Sequence, residues 1–338
     1  MRATRYKRMR IVAYALLAFA LYLLTSCNEG PGVPSTPQPS DPSDPPRRIT
    51  RIEALPRDAV KITPETDVHP PLLHSDEFHQ PEPVSGGINT AGAEDSAFVT
   101  PDGTTMYFFF TPDVRVPAER QLFDGVTGIY VSRMEGSTWS EAERVVLQAH
   151  DMLALDGAPF VLGSEMWFAS AREGNYRGVD MWIAHWQDGE WRDWRNAGAQ
   201  LNAEYQIGEM HLTANGQTMY SHADRPGGKG GYDIWMTTRS NEEWSEPVNV
   251  VELNSPETDG WPFVTEDGRE LWFTRIHMGT PAVFRAVLGE TGWDEPELIV
   301  SQFAAEPTLD RHGNLYFVHH FFRDGQMLEA DIYVARRR

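Results

Sequence analysis

The feature that most constrains the fold is an internal repeat, which runs from residue 76 to the end of the chain. One repeated element is an apolar, aromatic segment that follows a turn, as in TPDGTTMYFFF (100–110) and TEDGRELWFT (265–274). Five such segments occur, and their shared aromatic residues lie 60, 53, 52 and 44 positions apart. These residues are Tyr107, Trp167, Tyr220, Trp272 and Tyr316. A repeat of this length indicates one supersecondary unit copied along the chain, so it takes precedence over local structure prediction.

Two further elements recur within each unit. Segments similar to DIWMT begin at Gly128, Asp180, Asp233, Ala282 and Asp331. Segments similar to Trp-x-x-Pro begin at Trp139, Trp191, Trp244 and Trp293. Alternating apolar segments joined by Asp-Gly or Asn-Gly turns predict short β-strands in tight hairpins. Units of about 45–60 residues with several strands each are typical of β-propeller blades.

The missing fifth copy of Trp-x-x-Pro lies ahead of the first unit, where 78–81 reads FHQP. The Ile88-Asn89 that follows matches Leu201-Asn202 and Leu253-Asn254, which come after two other outer strands. Pairing this segment (77–92) with the terminal ADIYVA would remove an exposed sheet edge, which is an aggregation hazard. The predicted fold is therefore an all-β, five-bladed propeller over 76–338, closed by an N-terminal outer strand paired with the C-terminal strand.

The combined pattern resembles a known family of repeats. Its form is D/E-x-x-P-x-x-T-x-D-G-x-x-Y/W-F, then D-I-Y/W, then W-x-x-P. It is similar to the WD40-like PD40 repeats of TolB-like propellers in bacterial envelope proteins, over about 78–338. The clearest copies are 156–202, 209–254 and 257–296. The resemblance implies a propeller but no single activity, because one fold supports many functions. The chain departs from TolB in having no clear N-terminal α/β domain and five units rather than six.

The N-terminus predicts export. Five basic residues precede an apolar run of fourteen residues (11–24), which is short for a membrane span but typical of a signal peptide (1–26). The LTSC at 24–27 resembles the lipobox of bacterial lipoproteins, and this resemblance implies that Cys27 is acylated and becomes the first mature residue. Asn28, in place of Asp, then implies an outer-membrane lipoprotein that faces the periplasm or the cell surface.

The predicted domains after the signal peptide are a lipidated Cys27 with a Pro-rich tether (27–46), an extended lead-in of unclear structure (47–75) and the propeller. Cys27 is the only cysteine, so the exported domain has no disulfide. Without residues 1–26, which carry five basic and no acidic side chains, 24 basic and 49 acidic residues remain, a net charge of −25. Such a charge repels nucleic acid. The expected partners are the membrane, through the Cys27 lipid, and an envelope protein or glycan.

Acidic residues at one repeat position are the main candidate site. Aligned on the turn glycines, they fall at the predicted start of the innermost strands, where blades converge on a central channel. They are Glu94, Asp95, Asp156, Glu209, Asp259 and Glu306. One hypothesis is a carboxylate cluster at the channel mouth, in which at least one carboxyl should have a raised pKa because like charges cannot all ionise. The other is structural pairing with Arg172 and Arg225 of neighbouring strands.

Other candidates are weaker. His222 and His277 come near the ends of equivalent strands and are possible ligand-binding residues, as is Trp261, which precedes the repeat Pro262. His319 and His320 are adjacent in a strand, so they should point to opposite faces and not grip one ion together. With no H-E-x-x-H or C-x-x-C motif, no metal site and no cofactor are expected.

Two functions from different classes remain. The first is a lipid-anchored binding module that presents one face of its propeller to an envelope protein or glycan. The alternative is a carbohydrate-active enzyme, because five-bladed propellers also house glycoside hydrolases that use carboxylates at the funnel mouth. Its catalytic candidates are Asp156, Glu209, Asp259 and Glu306. An open mouth with free carboxyl groups favours the enzyme, and a mouth closed by arginine–carboxylate pairs favours the binding module.

Overall fold

Short antiparallel strands are the main regular structure of the described chain, which comprises residues 49–241 and 243–338 of a computed structural model. The predicted signal peptide, Cys27 and the tether lie outside the described residues. None of the helices in the described part is long and apolar enough to cross a bilayer. The elements that precede the repeat are α1 (Arg51–Ala54), β1 (Leu72–Leu73) and β2 (Glu82–Pro83).

The repeat region consists of five successive antiparallel units in the described residues. Unit 1 comprises β3 (Ala93–Val99), β4 (Thr105–Thr111), α2 (Ala118–Gln121), β5 (Gly128–Glu135), β6 (Thr138–Trp139) and β7 (Glu143–Arg144). Unit 2 comprises β8 (Ala154–Leu162), β9 (Glu165–Arg172), β10 (Asp180–Gln187) and β11 (Glu190–Asn196), followed by α3 (Ala199–Asn202). Unit 3 comprises β12 (Met210–Leu212), β13 (Thr218–Ala223), β14 (Asp233–Ser240), β15 (Glu243–Trp244) and β16 (Val248–Asn249).

Units 4 and 5 complete the repeat. Unit 4 comprises β17 (Asp259–Val264), β18 (Glu270–His277), β19 (Thr280–Val287) and β20 (Glu297–Ser301). Unit 5 comprises β21 (Ala304–Leu309), β22 (Leu315–Arg323) and β23 (Gln326–Ala335). In each unit the strands pair in chain order from the inside outward. The inner strands β3, β8, β12, β17 and β21 contact one another in this order, and β21 contacts β3. This closed ring of sheets around a channel is a β-propeller.

The predicted closure of the ring is present. β2 pairs with β23 through Glu82 with Val334 and Pro83 with Tyr333, and Phe78 forms a bridge to Arg337. The side chain of Asn89 accepts a hydrogen bond from the backbone N–H of Ile332 and donates one to its carbonyl. The side chains of Asn202 and Asn254 make the same double contact with the third strands of units 2 and 3. The sequence match between these Asn residues thus reflects one repeated way of fixing the end of an outer strand.

Aromatic pairs between units account for the repeated tryptophans. Each residue at the Trp-x-x-Pro position meets the repeat aromatic of the preceding unit edge to face, with ring centroids 6.0–6.5 Å apart. The pairs are Trp139–Tyr316, Trp191–Tyr107, Trp244–Trp167, Trp293–Tyr220 and Phe78–Trp272. Edge-to-face contacts are favourable beyond the area that they bury. The repeat aromatics are therefore packing residues between sheets.

The lead-in forms a strap (residues 49–75) across one end of the propeller. Arg51 reaches Glu94 in unit 1, and Lys61 contacts Glu329 and Asp331 in unit 5. Beyond these contacts, β1 pairs with β20, the outer strand of unit 4. Thr50 caps α1 in a capping box with Glu53. The strap therefore links three units by polar contacts for which the repeat pattern gave no signal.

Candidate functional site

A shared bend in the inner strands divides the acidic candidates into two groups. In four units the register shifts at a residue with positive φ, and these residues are Ser96, Ala158, Trp261 and Glu306. Together with Glu209, the corresponding residue of unit 3, they line a cavity in the channel. In a regular strand, residues two positions apart face the same side, but the bend interrupts this alternation. The residues two positions before the bend therefore do not line the cavity. The simple prediction of one carboxylate ring is therefore wrong.

The first group consists of Glu94, Asp156 and Asp259, which are buried and bound to arginines. A nitrogen of Arg172 lies 2.5 Å from Asp156 Oδ1, and Arg275 Nε lies 2.5 Å from Asp259 Oδ1. Burial raises the pKa of Asp259, and the nearby Arg275 opposes that shift. These carboxylates are structural partners of arginines and do not face the channel. This corrects the proposal that Asp156 and Asp259 are catalytic.

The strap supplies the arginine that unit 1 lacks. Pro112 stands two residues beyond Phe110, the strand partner of Glu94, where unit 2 has Arg172. In unit 4 the arginine is the strand partner itself, Arg275, and the equivalent position in unit 1 is Phe110. Arg51 takes this role, with its Nη1 3.0 Å from Glu94 Oε1 and 2.7 Å from the carbonyl oxygen of Ile88. Burial raises the pKa of Glu94 to about 7, although the positive charge of Arg51 lowers it.

In unit 3, Arg225 occupies the position that Arg172 has in unit 2, but it contacts different residues. Its guanidinium carbon lies 4.3 Å from the ring centroid of Tyr205 and 5.4 Å from that of Trp235. The position that carries Asp156 in unit 2 is occupied by Ile207 in unit 3. Arg172 and Arg225 thus belong to the interior of their units, and neither lines the channel cavity.

The second group, Asp95, Glu209 and Glu306, meets around Ser96 at the channel. The hydroxyl of Ser96 donates to Glu209 Oε1 at 2.5 Å, and its backbone N–H donates to Glu306 Oε2 at 2.7 Å. The same N–H also donates to Asp95 Oδ1 at 3.0 Å. Three carboxyl groups from units 1, 3 and 5 therefore share one residue as their hydrogen-bond donor.

The pKa values in this second group separate strongly. Burial raises the pKa of Glu209 to about 8, and the negative charge of Asp95 adds to the shift. Burial and the charges of Asp95 and Glu209 raise the pKa of Glu306 well above its usual value. Burial would also raise the pKa of Asp95, but hydrogen bonds from His320 and Glu306 outweigh it and lower that pKa to about 2. The group therefore holds both charged and neutral carboxyl groups at neutral pH.

His320 faces this group from β22. Its Nε2 lies 3.7 Å from Asp95 Oδ1, and its Nδ1 lies 3.4 Å from the carbonyl oxygen of Phe303. The adjacent His319 turns to the opposite side of the strand and lies 2.8 Å from Asp67 of the strap. His319 and His320 thus do not share a site. Sequence reasoning missed that His320 joins Asp95 and Glu306, because Asp95 lies more than 200 positions before the other two residues.

An aromatic collar narrows the channel next to the carboxyl groups. It is formed by the residues two positions after the bend in each unit, namely Phe98, Phe160, His211, Phe263 and Thr308. The ring of His211 lies between those of Phe160 and Phe263, 4.4 Å from each centroid. The cavity is about 30 Å³. Typical small-molecule pockets are about 300–1,000 Å³, so a sugar ring does not fit inside.

The three remaining candidates, Trp261, His222 and His277, lie in different surroundings. Trp261 lines the cavity, and its backbone N–H donates to Nδ1 of His222 at 3.1 Å. His222 is buried between aromatic rings, and this burial lowers its pKa to about 3. His277 lies at the end of β18, where its ring meets Phe284, and it does not line the channel cavity. Of the single-residue candidates, only Trp261 belongs to the channel wall.

Comparison with known proteins supports the fold. No protein-family profile matches the chain, and no curated protein matches it. The structure is similar to an endo-arabinase from Bacteroides thetaiotaomicron (TM-score 0.51, 15% identity, 76% of this chain and 98% of that chain). Weaker similarities are to TolB from Acinetobacter baumannii (0.42, 13%, 74% and 56%) and to a GH62 hydrolase in complex with xylotriose (0.46, 10%, 78% and 98%). The first similarity confirms the β-propeller, and at this identity it shows the fold alone.

Proposed function

We propose that this chain is an outer-membrane lipoprotein whose propeller binds a protein partner in the cell envelope through the face around the channel mouth. The observation that carries the proposal is the narrow channel. A cavity of about 30 Å³ between the acidic group and the aromatic collar excludes a ligand of ordinary size from this part of the channel. Recognition of a large ligand then takes place on the outer face.

The loops on this face favour a protein as partner. Consecutive strands are antiparallel, so the β4–β5, β9–β10 and β18–β19 connections lie at the same end as the carboxyl groups. They expose Phe123, Tyr176 and Met278, which are 51%, 55% and 93% accessible. Exposed aromatic residues and methionines are enriched at protein interfaces. Loops on a rigid scaffold are also common places for binding residues.

Anchoring through Cys27 is the second part of the proposal. Two or more acyl chains hold a protein firmly, because each buried CH₂ contributes about 0.8 kcal/mol. The proline-rich tether would then hold the propeller up to about 60 Å from the membrane, at about 3.1 Å per residue. Labelling with radioactive palmitate in a bacterial host should mark the wild-type chain and not Cys27→Ser. Equal labelling of both chains would refute the anchor.

Partner binding is tested by site-specific photo-crosslinking from position 176 in intact envelopes. A discrete cross-linked protein should appear, and Phe123→Ser together with Met278→Ser should abolish it. Val248→Ser removes an apolar residue that is 59% exposed on an outer strand, and it serves as the control. A cross-link that survives the double substitution contradicts the proposed face. Binding of the purified chain on a glycan array, without any protein cross-link, would identify a glycan partner instead.

A glycoside hydrolase is the second candidate, and one observation favours it. Glu209 and Glu306 both contact Ser96, so two carboxyl groups from different units lie close together at a channel mouth. Glycosidases use such a pair as acid and base or nucleophile. Release of reducing sugars from plant and bacterial polysaccharides should then be abolished by Glu209→Gln. No release from any polysaccharide, in a preparation whose wild-type fold is intact, rejects this candidate.

A further inference from the structure

The set of side chains at the channel mouth is suited to bind a cation. One oxygen from Asp95, one oxygen from Glu306 and one ring nitrogen of His320 all lie within 4.8 Å of one another. Metal–ligand bonds of about 2.0–2.2 Å place donors about 3–4.3 Å apart, depending on the angle between them. Closing the three donors around one ion therefore needs movements of no more than about 1 Å for each side chain.

The hydrogen bond on the far side of His320 prepares its nitrogen for a metal. The carbonyl oxygen of Phe303 can only accept, so the contact of 3.4 Å requires a proton on Nδ1. With an ion bound, the neutral ring would carry its lone pair on Nε2, which is the atom that faces Asp95. The ion would then replace the proton through which His320 hydrogen-bonds Asp95 in the metal-free chain. Histidines that bind metals commonly donate their other ring N–H to a carbonyl or carboxylate in this way.

The surroundings of the three donors also favour a cation. Glu209 lies beside the three ligands, because it accepts a hydrogen bond from the hydroxyl of Ser96. None of the residues that line the described cavity is a lysine or arginine. His211 lines the same cavity and is 8% exposed. Its Nδ1 accepts from the backbone N–H of Val264, and its Nε2 has no hydrogen-bond partner among the described residues. A water molecule held by an ion is one group that such a nitrogen can bind.

We propose that Asp95, Glu306 and His320 bind one divalent transition-metal ion at the channel mouth. An imidazole nitrogen combined with carboxylate oxygens suits Zn²⁺ or Mn²⁺, whereas Ca²⁺ and Mg²⁺ favour sets made of oxygen alone. The three ligands come from units 1 and 5, which are the units that close the ring. The ion would therefore connect the first and last parts of the repeat, and this role does not depend on the proposed function.

The test uses the full chain, purified in detergent, stripped with EDTA and dialysed. Calorimetric titration with ZnCl₂ and separately with MnCl₂ should show one site per chain, with CaCl₂ at least about tenfold weaker. His320→Gln and Glu306→Gln should each lower the Zn²⁺ affinity by at least about tenfold. Asp188→Asn, in the exposed β10–β11 turn, removes a carboxylate elsewhere and should leave the affinity unchanged. Affinity equal to wild type in both ligand variants overturns the proposal.

A second measurement needs no substitution. Electron spin-echo spectroscopy of the wild-type chain with one equivalent of Mn²⁺ should show modulation from a directly bound ¹⁴N nucleus. Hydrated Mn²⁺ gives no such signal, so its absence at full occupancy excludes His320 as a ligand. No binding of Zn²⁺ or Mn²⁺ at 100 µM by a folded chain also overturns the site. These results are independent of partner cross-linking, so each proposal can fail alone.

Discussion

Phe78 lies edge-on against Trp272, with ring centroids 6.0 Å apart and an interplanar angle of 84°. Both side chains are completely buried, although Phe78 precedes the first unit in sequence and Trp272 belongs to the fourth. The other four units make the same contact with a tryptophan in place of phenylalanine. Phe78 thus completes a ring of aromatic pairs and fastens the start of the repeat region to the remainder of the propeller.

Phe78→Ala should lower the free energy of unfolding by about 3–5 kcal/mol, because it removes a buried ring and leaves a cavity. Urea denaturation followed by tryptophan fluorescence measures the change. His79→Ala alters the adjacent exposed residue and is the control, with an expected change below about 0.5 kcal/mol. A loss below about 1 kcal/mol for Phe78→Ala would show that this ring does not secure the closure.

Deletion of residues 76–90 should unfold the chain or make it oligomerise. The deletion removes β2 and Phe78, which leaves the outer edge of β23 unpaired and able to pair with another chain. Light scattering coupled to size-exclusion chromatography, together with a melting curve, detects either result. A monomer with an unchanged melting temperature would contradict closure by this strand.

Arg51→Met should destabilise the fold by about 1–3 kcal/mol at pH 7, because the buried Glu94 carboxyl, whose pKa is about 7 even beside Arg51, loses its partner and must be protonated. The double variant Arg51→Met with Glu94→Gln should regain a large part of this loss, since the glutamine amide is neutral without taking up a proton. Denaturation of all four chains in a double-mutant cycle gives the coupling free energy. Arg57→Met, at an exposed strap position, is the control. Additive effects of the two substitutions would show that the pair does not hold the strap.

Stability should fall in acid partly because of His222. Its pKa is about 3 in the folded state owing to burial, against an ordinary value of 6.5. Between these values the unfolded chain binds a proton that the folded chain excludes, so the free energy of unfolding decreases as pH falls from 6.5 toward 3. The contribution is up to about 1.4 kcal/mol per pH unit.

The variant His222→Asn keeps an acceptor for the Trp261 N–H but has no proton to bind in this range. Its free energy of unfolding at pH 7 should be lower than that of wild type, because the smaller side chain leaves a cavity. Between pH 6.5 and 4.5, however, it should depend less steeply on pH than the wild type. Parallel slopes for the two chains, from urea denaturation at each pH, would disprove the role of His222.

Repeat spacing predicted the overall architecture well, because packing between units requires the same residue type at the same position each time. The aromatic pairs illustrate this, since both members recur at fixed intervals. The match of Ile88-Asn89 to Leu253-Asn254 likewise identified the closing strand, because Asn89 and Asn254 make one repeated backbone contact. Equivalent residues in a repeat share equivalent surroundings, and sequence comparison alone detects them.

The candidate site was predicted only in part. Glu94, Asp156 and Asp259 seemed equivalent to Glu209 and Glu306, but the two groups differ by two positions relative to the bend. The left-handed conformation at Ser96 and Glu306 decides which side chains face the channel, and neither residue type specifies that conformation. The contacts of Arg51 with Glu94 and of His320 with Asp95 were not predicted, because the partners are distant in sequence.

The amino-acid sequence by itself determined that the chain repeats, that the repeats are strands and that the two ends of the repeat region complete one sheet. These properties follow from periodic hydrophobic burial and turn chemistry, which are local. Only the tertiary structure decided which carboxyl groups pair with arginine and which meet at Ser96. The contacts at Ser96 join side chains from units 1, 3 and 5, so they depend on how the sheets are arranged around the channel. The arginine pairs depend on where the bend lies in each inner strand and, at Glu94, on the strap.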